Sequence, residues 1–465
     1  MLEVAKSFWM FIEMTNEYMD TPLDYGEKEI NYFIPKGANA RSLEITGAIK
    51  PIEDIEKKLL EVIENPTDSP PLKKIIEDNY SEGKPVIILT DDNTRPNIHT
   101  RILLPLLFPK LVDYGVSSKD IHILIASGTH RPGTEEEIKN KVLGPLIWDQ
   151  FKDHVVSHNC DDGVTKIGTS SRGTPIFLNN LALEACLIIA MTDSEYHYFA
   201  GVAGTVKQFF PGISGRKTIS MNHPKAFSKE TGFKAECRLG NTEGNPVIQD
   251  MIEMVQFVKK TKAVFCIDAI LNEKRIVLLN AGDIISMHKI AKDLLKPLRV
   301  IDVDKGADLV IVTTGELGLN LYQAGKGVHA AWNAAKKGGR ILLLARAQDG
   351  VGNQAYHDTM LAIKDKDLDE ALAWVVANKC SVETFKIGNQ KPVDLLRILM
   401  DNQIDMITEM DHKELKDTFR INGVEVKGSV QETLRNYVAE YLKDNKDALI
   451  YVMSDAGIYV KPKDN

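Results

Sequence analysis

The stretch VIILTDDNTRP, residues 86–96, decides the fold class. Val86 to Leu89 form an unbroken apolar run rich in β-branched residues, and the chain then turns abruptly to Asp91-Asp92-Asn93-Thr94-Arg95-Pro96. A run this short and this uniformly apolar reads as a strand covered by helices on both faces, because a strand with one wet face alternates polar and apolar residues. The same reading applies to Ile121 to Ile125, Leu187 to Ala190, Ala263 to Ile267, Leu309 to Val312 and Ile341 to Leu344, with longer amphipathic segments between them. The pattern predicts an α/β protein built on parallel sheets.

Several of these runs end in polar, glycine-rich or histidine-bearing loops: TDDNTRP at 90–96, ASGTHRPG at 126–133, MTDSEYHYFAGVAG at 191–204 and TTGELGLN at 313–320. Ligands of open α/β sheets sit at the carboxyl ends of strands, so these loops are the expected site. The length of 465 residues suggests two domains. The segment KDLLKPLRVIDVDKGADLV closes one helical pattern and opens another strand, which places a boundary near 285–305. The expected division is an N-terminal α/β domain over 1–290, completed by 425–465, and a C-terminal α/β domain over 300–420, with the active site in the cleft between them.

The formal net charge of -8 offers no broad attraction to nucleic acid or to an anionic membrane. Five scattered cysteines, Cys160, Cys186, Cys237, Cys266 and Cys380, form no C-x-x-C pair, so neither a disulfide framework nor a structural zinc site is suggested and a reducing cytoplasm fits best. The opening stretch MLEVAKSFWMFIEM carries Glu3, Lys6 and Glu13 and lacks the pattern of a secretory signal, and nowhere do about 18 apolar residues run together. A soluble protein is expected.

Within the loops, Asp92, Asn93, Thr94 and Arg95 present carboxylate, amide, hydroxyl and guanidinium within one turn, and Arg95 could clamp a carboxylate or phosphate in bidentate fashion. An Asx turn with a helix cap is the plainer alternative. Ser127-Gly128-Thr129-His130-Arg131 places a histidine that titrates near neutral pH in a second strand-end loop, and Thr134 with Glu137 spells a capping box after it. The densest segment runs from Glu195 through His197 and Gly204 to Lys207 and on to His223. Its G-x-x-G-x-x-K lacks the P-loop spacing and the hydroxyl residue after lysine, and its His spacings are wrong for H-E-x-x-H, so neither a nucleotide triphosphatase nor a local zinc centre is indicated. Beyond the fifth run, Gln323 and Lys326 stand three apart beside Tyr322, on one face of a helix.

Taken together, D-x-T-R at Asp92 to Arg95, S-G-T-H-R at Ser127 to Arg131, His197, Lys207 and His223 in their spacing, and Y-Q-x-x-K at Tyr322 to Lys326 resemble the nickel-pincer lactate racemase family of 2-hydroxy-acid racemases and epimerases. The likeness implies an isomerase that inverts C2 of a 2-hydroxy acid, lactate by default. It also implies a pyridinium mononucleotide holding nickel through sulfur, carbon and sulfur, made by dedicated nickel-cofactor biosynthesis proteins. By this resemblance Lys207 carries the cofactor as a thioamide, His223 is the fourth nickel ligand, and His130 and His197 are the two acid/base groups. Asp92, Asn93, Thr94 and Arg95 border the cofactor, and Arg95, Tyr322, Gln323 and Lys326 hold the substrate. Hydride would leave C2 for the cofactor and return to the opposite face, with one histidine taking the hydroxyl proton and the other giving one back. The chain departs from the family at Gly204-Thr205-Val206-Lys207, where members commonly carry an extra glycine before the lysine, and only Phe385 and Trp332 are candidates for an aromatic residue over the substrate.

Two other classes compete. A metal-dependent hydrolase would use His130, His154, His158 and Asp161 as ligands. A non-catalytic cofactor-binding protein would keep the fold without needing both histidines.

Overall fold

The computed structural model describes residues 18–463 apart from 27, 36, 46–49 and 273; the opening stretch discussed above as a possible signal lies outside them. The chain divides into two compact units, one of Met1–Thr46, Ser228–Gly232 and Arg299–Asn465, the other of Gly47–Phe227 and Phe233–Leu298. Two six-stranded sheets carry them. Their strands are β1 (Ala40–Ser42), β2 (Val86–Asp91), β3 (Ile121–Ala126), β4 (Val155–Ser157), β5 (Leu187–Asp193), β6 (Ala263–Asn272), β7 (Arg275–Gly282), β8 (Ala307–Thr313), β9 (Ala335–Leu344), β10 (Gln403–Ile407), β11 (Asn422–Val424) and β12 (Ile450–Met453). All six apolar runs read from the sequence lie within β2, β3, β5, β6, β8 and β9.

In the unit spanning 47–298 the sheet order is β7-β6-β5-β2-β3-β4. Its strands are parallel except for β7, which folds back on β6 as a hairpin. Val86, Ile87, Ile88 and Leu89 are fully buried, as a strand covered on both faces requires. Each such side chain contributes about 1.5–3 kcal/mol relative to leaving it exposed. The helix Pro246–Lys259 shows how the cover is made. Asn245 caps it by accepting from the Val247 and Ile248 amides, proline occupies its first turn, and Val247, Met251, Met254, Val255 and Val258 form its buried stripe. Sequence order reverses between β2 and β5, so the loops that follow these two strands open on a topological switch point, where α/β sheets bind ligands.

In the other unit the order is β11-β10-β9-β8-β12-β1, parallel throughout. This corrects the expectation that 425–465 completes the N-terminal domain, and the assignment of the whole of 1–290 to that domain. Ile450–Met453 is a fully buried apolar strand seated between β8 and β1, with Leu309 opposite Ile450 and Val452 opposite Ser42. The helix Val430–Asp444 and the strand Tyr459–Pro462, paired with Val300–Val303, belong to the same unit. The physical reason is an edge: β8 needs a partner on its open side, and the buried apolar strand Ile450–Met453 supplies it within its own sheet.

Candidate active site

The strand-end loops of the unit spanning 47–298 assemble two groups of side chains. The first is anchored on Asp92, buried at the end of β2. Its Oδ1 accepts from the Thr94 hydroxyl at 2.6 Å and the Thr94 amide at 3.2 Å, and its backbone carbonyl from Asn97 Nδ2 at 2.7 Å. Its Oδ2 lies 2.6 Å from His130 Nδ1. Burial alone would raise the Asp92 carboxyl, but the hydrogen bond and charge of His130, with Thr94 and Arg95, hold it below its ordinary value. An ionised carboxylate only accepts, so His130 carries a proton on Nδ1, and Nε2 is the acceptor of the neutral ring. Gly128 makes the loop possible: at φ 56° its amide reaches the Gly212 carbonyl at 2.8 Å. Beneath this group, burial pushes Asp91 up to about 7 and His99 down to about 3, and their closest atoms are 3.5 Å apart. Arg95 extends a guanidinium to 3.8 Å from Glu195, and Asn93 lies against Gly133.

The second group gathers around Phe199. Its ring stands edge-on to His197 at 4.7 Å between centroids and to His223 at 5.5 Å, and Lys207 Nζ lies 5.9 Å from its centroid. Asn245 Nδ2 fixes this residue by donating to its carbonyl at 2.8 Å, and Phe233 stacks on the ring. His197 Nδ1 accepts the Ala200 amide at 3.2 Å, so the neutral ring carries its proton on Nε2, the reverse of His130. Burial, with the charge of Lys207 adding, pushes the His223 imidazole down to about 3 and keeps it neutral, the form that ligates a metal. Lys207 rides the short helix Val206–Phe209, its amide bonded to the Gly204 carbonyl at 2.9 Å. Gly204 has φ 77°, and a Cβ there would lie 2.9 Å from the Asp193 carbonyl oxygen.

In the other unit, Tyr322, Gln323 and Lys326 lie on the helix Leu321–Ala334 that follows β8, each half-buried. Asn320 caps this helix by accepting the Gln323 amide at 3.0 Å, worth about 1 kcal/mol. The Tyr322 hydroxyl accepts from Gln390 Nε2 at 3.0 Å. Lys391, which the sequence reading passed over, is buried with Nζ 5.8 Å from the Tyr322 ring centroid. Trp332 donates to Asp401 at 3.2 Å beneath the Arg397 guanidinium, and Phe385 is buried.

The chain matches the model of the lactate racemase N-terminal domain over residues 25–234 and that of the lactate racemase C-terminal domain over 303–460. It is 30% identical over 418 residues to the lactate racemase of Lactiplantibacillus plantarum, covering 88% of this chain and 91% of that protein. It is likewise 30% identical over 416 residues to the lactate racemase of Thermoanaerobacterium thermosaccharolyticum. The chain belongs to the lactate racemase family.

Among solved structures, the lactate racemase apoprotein from Thermoanaerobacterium thermosaccharolyticum superimposes with a TM-score of 0.77 at 26% identity, covering 95% of this chain and 100% of that one. A Thermotoga maritima protein of 17% identity shares the fold, with a TM-score of 0.63 over 88% of this chain. As a member of the lactate racemase family the chain is an enzyme of the isomerase class. The geometry removes the hydrolase alternative. His158 spends one ring nitrogen on the Ser214 carbonyl and the other on Asn179, Asp161 is ion-paired with Arg216, and His154 packs on His122. Among the described residues no group of three or more His, Cys, Asp or Glu stands together in a way that could hold a metal ion.

Phe199, Thr205 and His288 were given no role in the sequence reading, and Asp92 gains a further one. Asp92, expected at the cofactor border, also engages His130 through its carboxylate. Phe199 had no signal beyond its place in the segment 191–204. Thr205 and His288, hydrogen-bonded at 2.8 Å just before Lys207, had no signal beyond the departure from the family's glycine.

Proposed function

We propose that this enzyme inverts C2 of a 2-hydroxy acid, with lactate the first candidate, using a nickel-pincer nucleotide tethered to Lys207 and ligated by His223. The observation that carries this reading is the cluster on Phe199, which sets an amine, a buried neutral imidazole and an acid/base histidine around one ring. The donor set fits the cofactor. His223 is buried and neutral, and among the described residues no group of three or more His, Cys, Asp or Glu could hold a metal ion, which suits a metal that arrives with most of its own donors; soft donors completed by one imidazole would suit Ni(II). When bound, that group would supply a reversible hydride acceptor for C2.

The chain's own residues do the rest. His130, held by Asp92 so that Nε2 is the acceptor of its neutral ring, is set to take the substrate hydroxyl proton; His197, assigned by the family motif, would return a proton from its imidazolium form, recharged from solvent. A single base would return only the starting enantiomer, so two with opposite protonation serve both directions. Arg95 offers a guanidinium to the substrate carboxylate, and Tyr322, Gln323 and Lys326 are assigned to substrate binding by the family motif. Asn93 and Thr94 border the cofactor, with Thr94 also bracing Asp92. All five cysteines are unpaired and no described helix is long and apolar enough to cross a membrane, which supports our placing of the enzyme in the cytoplasm, where the cofactor biosynthesis proteins would mature it.

The test is co-expression with those proteins, followed by intact mass, nickel content and incubation with enantiopure 2-hydroxy acids under chiral readout. A Lys207 adduct, one nickel per chain and inversion of one acid are expected. A nickel-free, unmodified chain that leaves every acid untouched would overturn the proposal.

A further inference from the structure

Thr205 holds a backbone conformation that L side chains rarely adopt, φ 43° and ψ −115°, directly before the helix that carries Lys207. The turn around it is tight: the Gly204 carbonyl accepts the Lys207 amide at 2.9 Å, and the Thr205 carbonyl accepts the Gln208 amide at 3.0 Å. Any change in Thr205 φ or ψ therefore swings Lys207. One side chain grips it. His288, on the helix Ile284–Arg299, places Nδ1 2.8 Å from Thr205 Oγ1, and both residues are buried. The remaining ring nitrogen, Nε2, is buried with no hydrogen-bond partner among the described residues. A residue that merely filled this space would be apolar, since an imidazole here keeps one nitrogen unsatisfied. Burial, with the nearby charge of Lys207 adding, pushes His288 down to about 4, so the ring grips Thr205 in its neutral form.

We propose that His288 is a positioning residue for Lys207: it clamps Thr205 in a glycine-type conformation and so fixes the turn that presents the lysine for cofactor attachment. The proposal rests on the reading of Lys207 as the tether. It makes a specific claim about the departure seen in the sequence, that a threonine stands where glycine would adopt the turn unaided because His288 holds it there.

The claim is testable through its reversal. His288→Ala, Thr205→Gly and the double variant are matured alongside the wild type, and intact mass reads the fraction modified on Lys207. The cofactor-free proteins are labelled with trinitrobenzenesulfonate, and peptide mass reads the Lys207 rate. His288→Ala should lower adduct occupancy by roughly 5- to 30-fold, the factor that corresponds to releasing one strained residue, and should change the labelling rate. Adding Thr205→Gly should restore both to within about twofold, because glycine adopts the turn without a clamp. Wild-type occupancy in His288→Ala, or a double variant as poor as the single, overturns the proposal. If the wild type itself carries no adduct on Lys207, the tether reading fails, and labelling alone decides: a rate change reversed by Thr205→Gly keeps His288 as a positioning residue, and no change removes it. Should His288→Ala not fold, His288→Leu, which fills the space without a hydrogen-bonding atom, replaces it in every arm.

Discussion

The two strand-end histidines are held in opposite ways. His130 stands on a buried carboxylate that is itself gripped by the hydroxyl and the backbone amide of Thr94, while the Asn97 side-chain amide holds the Asp92 backbone carbonyl. His197 stands on a backbone amide and between two aromatic rings, with Tyr198 stacked at 5.0 Å and Phe199 edge-on. A carboxylate on Nδ1 fixes the tautomer of the neutral ring whose Nε2 accepts; a backbone N–H on Nδ1 fixes the tautomer whose Nε2 carries the proton. The difference teaches how one unit can hold the same side chain in two tautomers, each set by what touches its Nδ1.

The largest effect should come from removing either group. His130→Ala and His197→Ala are each expected to lower racemisation by about 10² to 10⁴. Their signatures should differ: in a single turnover, one variant fails to form the 2-oxo acid from one enantiomer and the other variant fails with its mirror image. Failure of both with the same enantiomer would break the division of labour.

Next in size is Asp92→Asn, which keeps the shape and removes the charge. A loss of about 10² is expected, confined to the enantiomer that depends on His130. Because the Asp92 carboxyl is held below its ordinary value, its ionic contribution to stability is complete above the usual carboxylate range and is lost as pH falls through the lowered value. Melting curves of the variant should therefore lose less stability on acidification than those of the wild type.

Phe199→Leu tests the aromatic side. An edge-to-face ring pair is worth about 0.5–1.5 kcal/mol, so loss of the ring should speed nickel release to a chelator by roughly 2- to 12-fold while leaving the His130-dependent half-reaction in place. Equal damage to both half-reactions would mean that Phe199 is general core rather than the hub of one group.

Much of this was legible in the chain. Val86 to Leu89 and its five counterparts declared themselves because strands buried on both faces must be continuously apolar, and the loops after them marked the candidate site because strand ends face ligands. What stayed hidden had no local signature. Asp92 and His130 are 38 residues apart, and only the pairing of β2 with β3 brings them together. Phe199 is one of 15 phenylalanines, most naturally read as core. The conformation of Thr205 depends on His288, 83 residues away. Ile450–Met453 is a strand of only four residues among charged neighbours, too short for periodicity to separate it from a surface tail.

The smallest effect is expected one residue from one of the largest. Arg131 follows His130 in the family motif, yet its guanidinium turns away to Glu137, bonding both carboxylate oxygens at 2.6 and 2.7 Å, with its side chain 65% exposed. This pair, with the Thr134 amide, pulls Glu137 down to about 2. The sign follows: the pair's contribution is present above the usual glutamate value and disappears as pH falls from there toward 2. Solvent screens so exposed an arginine, and the contribution should be about 0.2–1 kcal/mol. Arg131→Ala is therefore expected to leave racemisation within about twofold and to shift melting by a few degrees at most, the shift vanishing at acid pH and shrinking with added salt. A loss approaching that of Asp92→Asn would mean that Arg131 leaves Glu137 during turnover and joins the substrate, and that His130 shares its half of the reaction with a cation.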